Sequence, residues 1–117
     1  MNCLELIKIL RKDLRQSNSN FETIKFFRRN LTSYWVWVCI LERYYNYNNT
    51  NNIEDIIREI PVEHTSRPTL FKIFDDAVKK KYLTKEADKN DKRKSNLFPT
   101  SQTIKEFEEW SQIFKDV

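Results

Sequence analysis

The chain has 117 residues, of which 39% are hydrophobic and 32% are charged, and it carries a formal net charge of +4. This composition is typical of one globular domain with a sizeable core, and it excludes a disordered chain. The longest apolar run, Tyr34 to Leu41, falls far short of the roughly 20 residues that span a bilayer. A chain without glycine also cannot form a glycine-rich phosphate-binding loop.

Two cysteines, Cys3 and Cys39, lie far apart in the sequence and have apolar neighbours. Buried, reduced thiols of a cytoplasmic protein are the first interpretation, and a redox switch is the alternative. Met1 leads directly into a predicted helix that carries Glu5 and Lys8. We therefore expect no signal peptide and a cytoplasmic protein.

Three helices are predicted in the first half of the chain, the first two from apolar residues three and four positions apart. The first ends near Arg15, and the second closes at residues 28–30. The third is capped by Thr32 or Ser33 and continues to Tyr45. Its aromatic and β-branched residues would also suit a buried strand, but its length of about 13 residues favours a helix. We expect this third helix at the centre of the core.

The second half of the chain predicts a loop, a short helix and a terminal helix. Residues 46–52 are rich in asparagine and predict a mobile loop, and residues 53–60 carry isoleucines at helical spacing. A last helix starts at a Thr100 cap and has one apolar side. A dimer seam shared with the first helix is the preferred interpretation of that side, and packing back on the first helix is the alternative. The terminal helices within residues 1–30 and 100–117 are therefore possible dimerisation elements.

Between the short helix of residues 53–60 and the last helix, a further helix is followed at once by a candidate hairpin. The helix is predicted over about residues 66–82, and Thr65 or Ser66 can cap it. Pro68 lies in the first turn, where its missing N–H costs nothing. The hairpin occupies residues 84–98, and without glycine its turn is expected at Asn90-Asp91.

A helix followed by a basic-tipped hairpin is the plan of a winged helix-turn-helix. The predicted fold is therefore mainly α with a small β-hairpin wing and about six helices, in one domain of residues 1–117 whose residues 53–100 hold the helix-turn-helix and wing. Residues 79–94 contain eight Lys or Arg and three acids, so their balance of +5 exceeds the +4 of the whole chain. Cations at the end of a helix also suit its dipole, whereas cations at a loop tip repel one another unless a polyanion is near.

The side of this helix opposite Leu70 and Phe74 is predicted to meet DNA. Hydroxyl and ammonium donors suit base edges and phosphates, and Arg67 is long enough to swing around the helix end to a guanine. An ordinary solvated helix face is the alternative. The candidate DNA-binding residues are Thr65, Ser66, Arg67, Thr69, Lys72, Lys79, Lys89, Lys92, Arg93 and Lys94.

The order of these signals resembles the MarR-type winged-helix transcription regulators. The resemblance rests on Ser66-Arg67-Pro68-Thr69 before an apolar-periodic helix, then Tyr82-Leu83, then Asp91-x-Arg93 with Thr100 nine residues after the aspartate. It covers residues of about 31–105. Lys81 departs from the pattern, since it stands where the family often has glycine, and the turn there must be made without one.

The resemblance implies a homodimer on double-stranded DNA, with the predicted helix of residues 66–82 in the major groove and Arg93 of the wing at the minor groove. Asp91 would orient Arg93 or a neighbour. Family members often sense small aromatic effectors, for which Trp35, Trp37, Tyr44 and Tyr45 could line a pocket. Plain core is nevertheless the preferred interpretation of these large aromatic side chains.

The residues do not predict an enzyme. His64 is the only histidine and has no metal-ligand spacing around it, so a structural or DNA-backbone role is expected for it. Asp75 and Asp76 point about 100° apart on a helix and cannot act as one carboxylate dyad. We expect no metal and no cofactor. Two function classes stay open: a sequence-specific transcription regulator, and a winged-helix interaction module or replication or partition adaptor without its own operator.

Overall fold

The computed structural model describes residues 2–15, 21–46, 51–61, 63, 65–112 and 114–115. Over these residues the chain forms six helices and one two-stranded antiparallel sheet, so the predicted mainly helical fold with a small hairpin is confirmed. The elements in chain order are α1 (Cys3–Arg15), α2 (Glu22–Phe27), α3 (Leu31–Tyr45), α4 (Ile53–Glu59), α5 (Arg67–Lys79), β1 (Leu83–Ala87), β2 (Ser95–Pro99) and α6 (Ser101–Gln112). None of these described helices combines the length and the apolar character that a membrane span requires.

The α3 segment is a helix rather than a strand, and it packs against α2, α4 and β2. Its buried residues are Ser33, Val36, Trp37, Cys39, Ile40 and Leu41. The helix is capped by Asn30, whose side chain accepts the backbone N–H of Ser33 at 2.8 Å. The predicted Thr32 or Ser33 cap is wrong because both residues already lie inside the first turn, where an asparagine just before the helix can reach an unpaired N–H.

The two cysteines lie in different environments. Cys39 is buried in α3, as predicted, and its burial together with the negative charge of Glu59 raises the pKa of its thiol to about 11. Cys3 is exposed, so the burial predicted for it is wrong. It begins α1, a helix that buries none of its own residues.

The helix predicted over residues 66–82 is α5, and it ends at Lys79, earlier than expected. Ser66 caps its start, with its side chain accepting the N–H of Thr69 at 3.3 Å. At the other end Lys81 adopts a φ of 66°. The N–H groups of Lys81 and Tyr82 then bond the carbonyls of Val78 and Ala77, both interactions of a Schellman motif. The turn is thus made by a lysine in the left-handed region, at a cost of about 1 kcal/mol that glycine would avoid.

The hairpin forms in the predicted place, with Leu83 paired to Pro99 at its base and Ala87 to Ser95 near its tip. Its turn is not at Asn90-Asp91. The carbonyl of Asp91 accepts the N–H of Lys94 at 2.9 Å, which puts Lys92 and Arg93 at the centre of the turn. Asn90 therefore lies before the turn and not in it, although asparagine has the stronger local preference for turns.

Two asparagines add a short third edge to the sheet. The carbonyl of Asn51 accepts the N–H of Leu97 at 2.9 Å, and Asn52 forms an antiparallel bridge with Asn96. The mobile loop predicted from the asparagine-rich stretch is wrong for these two residues because backbone pairing to β2 orders them. Residues 47–50 lie outside the described part of the chain.

The apolar side of α6 packs on α3 of the same chain. The rings of Phe107 and Trp110 lie 5.6 and 5.7 Å from the ring of Trp37. Glu106 also accepts the backbone N–H and the hydroxyl of Thr23 in α2, at 3.0 and 2.9 Å. Part of this side is therefore covered by Trp37 within one chain, and the dimer seam preferred for it stays a prediction.

In contrast, α1 stands apart from the core. Its four leucines and Ile7 stay 47–71% exposed, at Leu4, Leu6, Ile7, Leu10 and Leu14. A bidentate ion pair joins Asp13 of α1 to Arg28, with 2.8 Å between Arg28 Nη2 and Asp13 Oδ2. The first helix is thus amphipathic, as predicted, but its apolar side is uncovered.

Candidate nucleic-acid interface

The side of α5 turned away from the core is open to solvent. Leu70 and Phe74 are 2% and 1% exposed, whereas Thr69, Lys72 and Lys79 on the other side are exposed. Nothing in the described part of the chain covers these three side chains. The candidate residues of α5 are therefore accessible to a partner.

The hydroxyls at the start of α5 form a local chain of hydrogen bonds. The Oγ atoms of Ser66 and Thr69 are 2.9 Å apart, and Thr65 Oγ1 donates to the carbonyl of Ser66 at 3.4 Å. Ser66 is thus first of all the helix cap. Each hydroxyl keeps further lone pairs or a rotatable proton for an outside partner.

Arg67 is not free to swing around the helix end. Its Nη1 donates to Glu54 Oε2 at 2.9 Å, and its Nη2 contacts Glu54 Oε1, so the guanidinium is paired end-on with a carboxylate of α4. Its Cζ lies 5.1 Å from the centre of the Phe71 ring. The predicted mobile arginine is therefore corrected, because a carboxylate from the preceding helix holds it in place.

The tip of the hairpin carries the exposed cations Lys89, Lys92, Arg93 and Lys94. Asp91 Oδ1 accepts the backbone N–H of Arg93 at 3.0 Å and its Nε–H at 3.2 Å. The Arg93 side chain nevertheless stays 91% exposed. Asp91 thus orients Arg93, which is the geometry that the sequence resemblance implied for this pair.

Asp88 organises the loop, although its role was missed at the level of sequence. Its Oδ2 accepts the N–H groups of Asn90 and Asp91 at 3.0 Å each, and its Oδ1 accepts Nδ2 of Asn96 at 3.1 Å. The side-chain bond from Asn96, followed by the N–H of Asn90, lowers the pKa of this carboxyl below its usual value. An aspartate two residues before an asparagine, at the end of a strand, is a recognised Asx-turn signal that could have found it.

The base of the hairpin is fastened to α6 by one carbonyl. The backbone carbonyl of Tyr82 accepts two bonds from Thr100, from its N–H at 3.1 Å and from its hydroxyl at 3.2 Å. The same carbonyl accepts the buried hydroxyl of Thr103 at 2.7 Å. Thr100 was predicted as a helix cap only, and Thr103 was missed. These bonds fix the direction in which the hairpin leaves the core.

The four aromatic residues considered for an effector pocket do not share one cavity. Trp37 is 3% exposed and belongs to the core, whereas Tyr44 and Tyr45 are 37% and 41% exposed. Trp35 lines a recess of about 290 Å³, and Trp37 and Tyr45 line another of about 340 Å³. The core interpretation is right for Trp37 and wrong for the two tyrosines, which lie at the solvent-facing end of α3.

The other polar candidates are His64, Asp75 and Asp76. His64 lies outside the described residues, and Asp75 is exposed beside a partly buried Asp76. Among the described residues no three His, Cys, Asp or Glu side chains are grouped so that they could hold a metal ion.

Comparisons with known proteins assign the chain to no family. No protein-family model matches it, and no curated protein matches it. What the chain does is therefore inferred from the geometry of its own residues.

Proposed function

We propose that the protein is a sequence-specific, DNA-binding transcription regulator of MarR type. In this proposal α5 enters the major groove, and the hairpin lies along the neighbouring minor groove. The protein binds rather than catalyses, and it acts in the cytoplasm, where its thiols stay reduced.

The observation that carries the proposal is the cationic hairpin tip directly after an exposed helix face. Lys89, Lys92 and Lys94 have no ion-pair partner among the described residues, and Arg93 pairs only with the Asp91 beside it. Like charges this close repel one another, and a phosphate backbone relieves that repulsion while releasing its counterions.

Preorganisation of the two DNA-contacting elements also supports the proposal. The Tyr82 carbonyl fastens the hairpin to α6, and the bridge between Asn52 and Asn96 ties it to the start of α4. The bond from Arg67 to Glu54 joins α5 to α4, so the hairpin, α4 and α5 are held together and little ordering is left to be done on binding.

A homodimer is part of the same proposal. Tyr34 and Val38 line both apolar recesses, which adjoin along α3 and form a groove. The helices that would pair there match in length, since α1 with 13 residues spans about 20 Å and α3 with 15 residues about 22 Å. Arg28, which holds Asp13 near the end of α1, has its Cζ 5.3 Å from the Tyr34 ring centre, so α1 ends close to the groove. Reciprocal insertion of α1 into the groove of a second copy would be isologous and would bury both apolar surfaces.

Replacing Ile7 and Leu10 together with glutamine should dissociate this dimer. Each dimer loses four partly exposed aliphatic side chains, so the dissociation constant should rise by at least about 100-fold. Sedimentation velocity over a concentration series measures it. The matched control replaces Lys8 and Arg11 of the same helix with glutamine and should leave the dimer intact. A wild-type chain that stays monomeric at its highest soluble concentration contradicts the dimer.

The function itself is tested by selecting duplexes from a random library and titrating their binding with salt. We expect one enriched, pseudo-palindromic sequence that binds at least about 10³-fold more tightly than random DNA. The logarithm of the affinity should fall with the logarithm of salt by about 0.9 per phosphate contact. No enrichment and a flat salt response would favour the interaction-module function, which the exposed apolar groove on α3 would then serve.

A further inference from the structure

The contact between Glu54 and Arg67 joins the two helices of the helix-turn-helix. Two hydrogen bonds connect their side chains, which are 47% and 55% exposed. The N–H of Glu54 is itself bound by the side chain of Asn52 at 2.8 Å, and the Arg67 guanidinium lies against Phe71. The Asn52 bond fixes the backbone at Glu54 and the Phe71 ring supports the guanidinium, although the pair itself lies at the surface.

The end-on pairing leaves one edge of the guanidinium unused. Glu54 takes one N–H from each Nη atom, and arginine has five N–H donors in a fixed fork. Three N–H groups remain, of which the Nε–H and the outer N–H of Nη2 lie on one edge, and among the described residues no hydrogen bond engages the Nε atom of Arg67. Two parallel donors of this kind match the O6 and N7 acceptors of guanine.

The carboxylate also cancels the charge of the arginine. Their mutual hydrogen bonds lower the pKa of Glu54 and raise the pKa of Arg67, so both groups stay ionised near neutral pH. An arginine that already has a bidentate carboxylate gains little from a phosphate, because the phosphate would only replace an equivalent partner. The charge of Arg67 therefore adds little to attraction for DNA of arbitrary sequence.

Building on the DNA binding proposed above, we infer that Glu54 is a specificity-determining positioning residue. It holds Arg67 with the free Nε–Nη2 edge turned to a guanine, and it suppresses the contact of Arg67 with phosphates. Arg67 then reads one base pair, and Glu54 acts only through Arg67.

Glu54→Gln is the direct test, because it removes the charge and keeps the shape of the side chain. The preference for guanine at one position of the selected site should fall about 10-fold, the discrimination of one bidentate contact. Affinity for random duplex should rise, with a salt slope steeper by about 0.9 as Arg67 turns to a phosphate. Fluorescence anisotropy with the selected site, its single-base variants and a random duplex measures all three quantities.

Asp55→Asn is the matched control. Asp55 is the next residue of α4, it pairs with Arg58 rather than Arg67, and its loss changes the net charge by the same amount. This variant should bind random duplex more tightly and should keep the base preference. The double variant with Glu54→Gln and Arg67→Ala should show the same base preference as Arg67→Ala alone, because Glu54 is inferred to set that preference only through Arg67.

The outcomes separate the inference from the proposed function. If the wild-type chain selects no sequence, the proposed function fails, and the inference fails with it. If the wild type selects a sequence and Glu54→Gln keeps the full base preference, or behaves as Asp55→Asn does, the role of Glu54 is overturned and the DNA-binding function stands.

Discussion

Replacing Lys92, Arg93 and Lys94 with alanine is expected to weaken binding to every duplex by about 10²–10³-fold at 0.1 M salt. Each phosphate contact that is lost removes about 0.9 from the salt slope, which corresponds to roughly tenfold in affinity at that salt concentration. The loss should be similar for the selected site and for random DNA, because backbone contacts carry no sequence information. Salt titrations followed by fluorescence anisotropy measure both the affinity and the slope.

The control for this triple variant removes the same charge elsewhere. Lys25, Lys105 and Lys115 are exposed and lie on or after α2 and α6, away from α5 and the hairpin. Replacing these three residues with alanine should change affinity only a few-fold. An equal loss in both triple variants would mean that DNA responds to net charge alone, and the hairpin would have no special role.

Replacing Phe74 with alanine is expected to lower the free energy of unfolding by about 3–5 kcal/mol. Phe74 is 1% exposed on the inner side of α5, so its removal leaves a cavity beneath the proposed recognition helix. The total free energy of unfolding of a domain of this size is about 5–15 kcal/mol, so this one substitution removes a large part of the stability. Urea unfolding followed by circular dichroism measures the change.

Phe71→Ala is the matched control for that substitution. Phe71 lies on the same helix, 5.8 Å from the Phe74 ring centre, but it is only partly buried and has solvent on one side. We expect Phe71→Ala to lower the free energy of unfolding by less than half as much as Phe74→Ala does, since less buried apolar surface is lost and water can fill the space. Equal losses would mean that the inner side of α5 is not packed as described.

Local signals account for most of what was predicted correctly. The length of the α3 segment was enough to choose a helix over a strand, and Ser66 with Pro68 located the start of α5. These preferences act within one or two turns of the chain, so the residues that decide them are adjacent in the sequence. The position of the hairpin between residues 84 and 98 was found in the same way.

Local signals failed where a competing side-chain bond or the packing of the whole chain opposed them. Asn90 was the best turn residue available, yet Asp88 binds the N–H groups of Asn90 and Asp91, and the turn moves to Lys92 and Arg93. The amphipathic spacing of α1 predicted an apolar side correctly, but the same pattern would arise whether that side packs inside the chain or outside it. Only the fold revealed that α1 buries none of its residues.

By itself, the sequence determined the order and type of the elements, the concentration of positive charge near residues 79–94, and the need for a turn without glycine. Tertiary structure alone decided which side chains hold one another. Arg67 meets Glu54 across 13 residues, Thr103 meets the Tyr82 carbonyl across 21, and Thr23 meets Glu106 across 83. Periodicity and helix caps depend on neighbours in the chain, whereas these pairings depend on how the packed helices bring distant residues together, and sequence spacing carries no record of that.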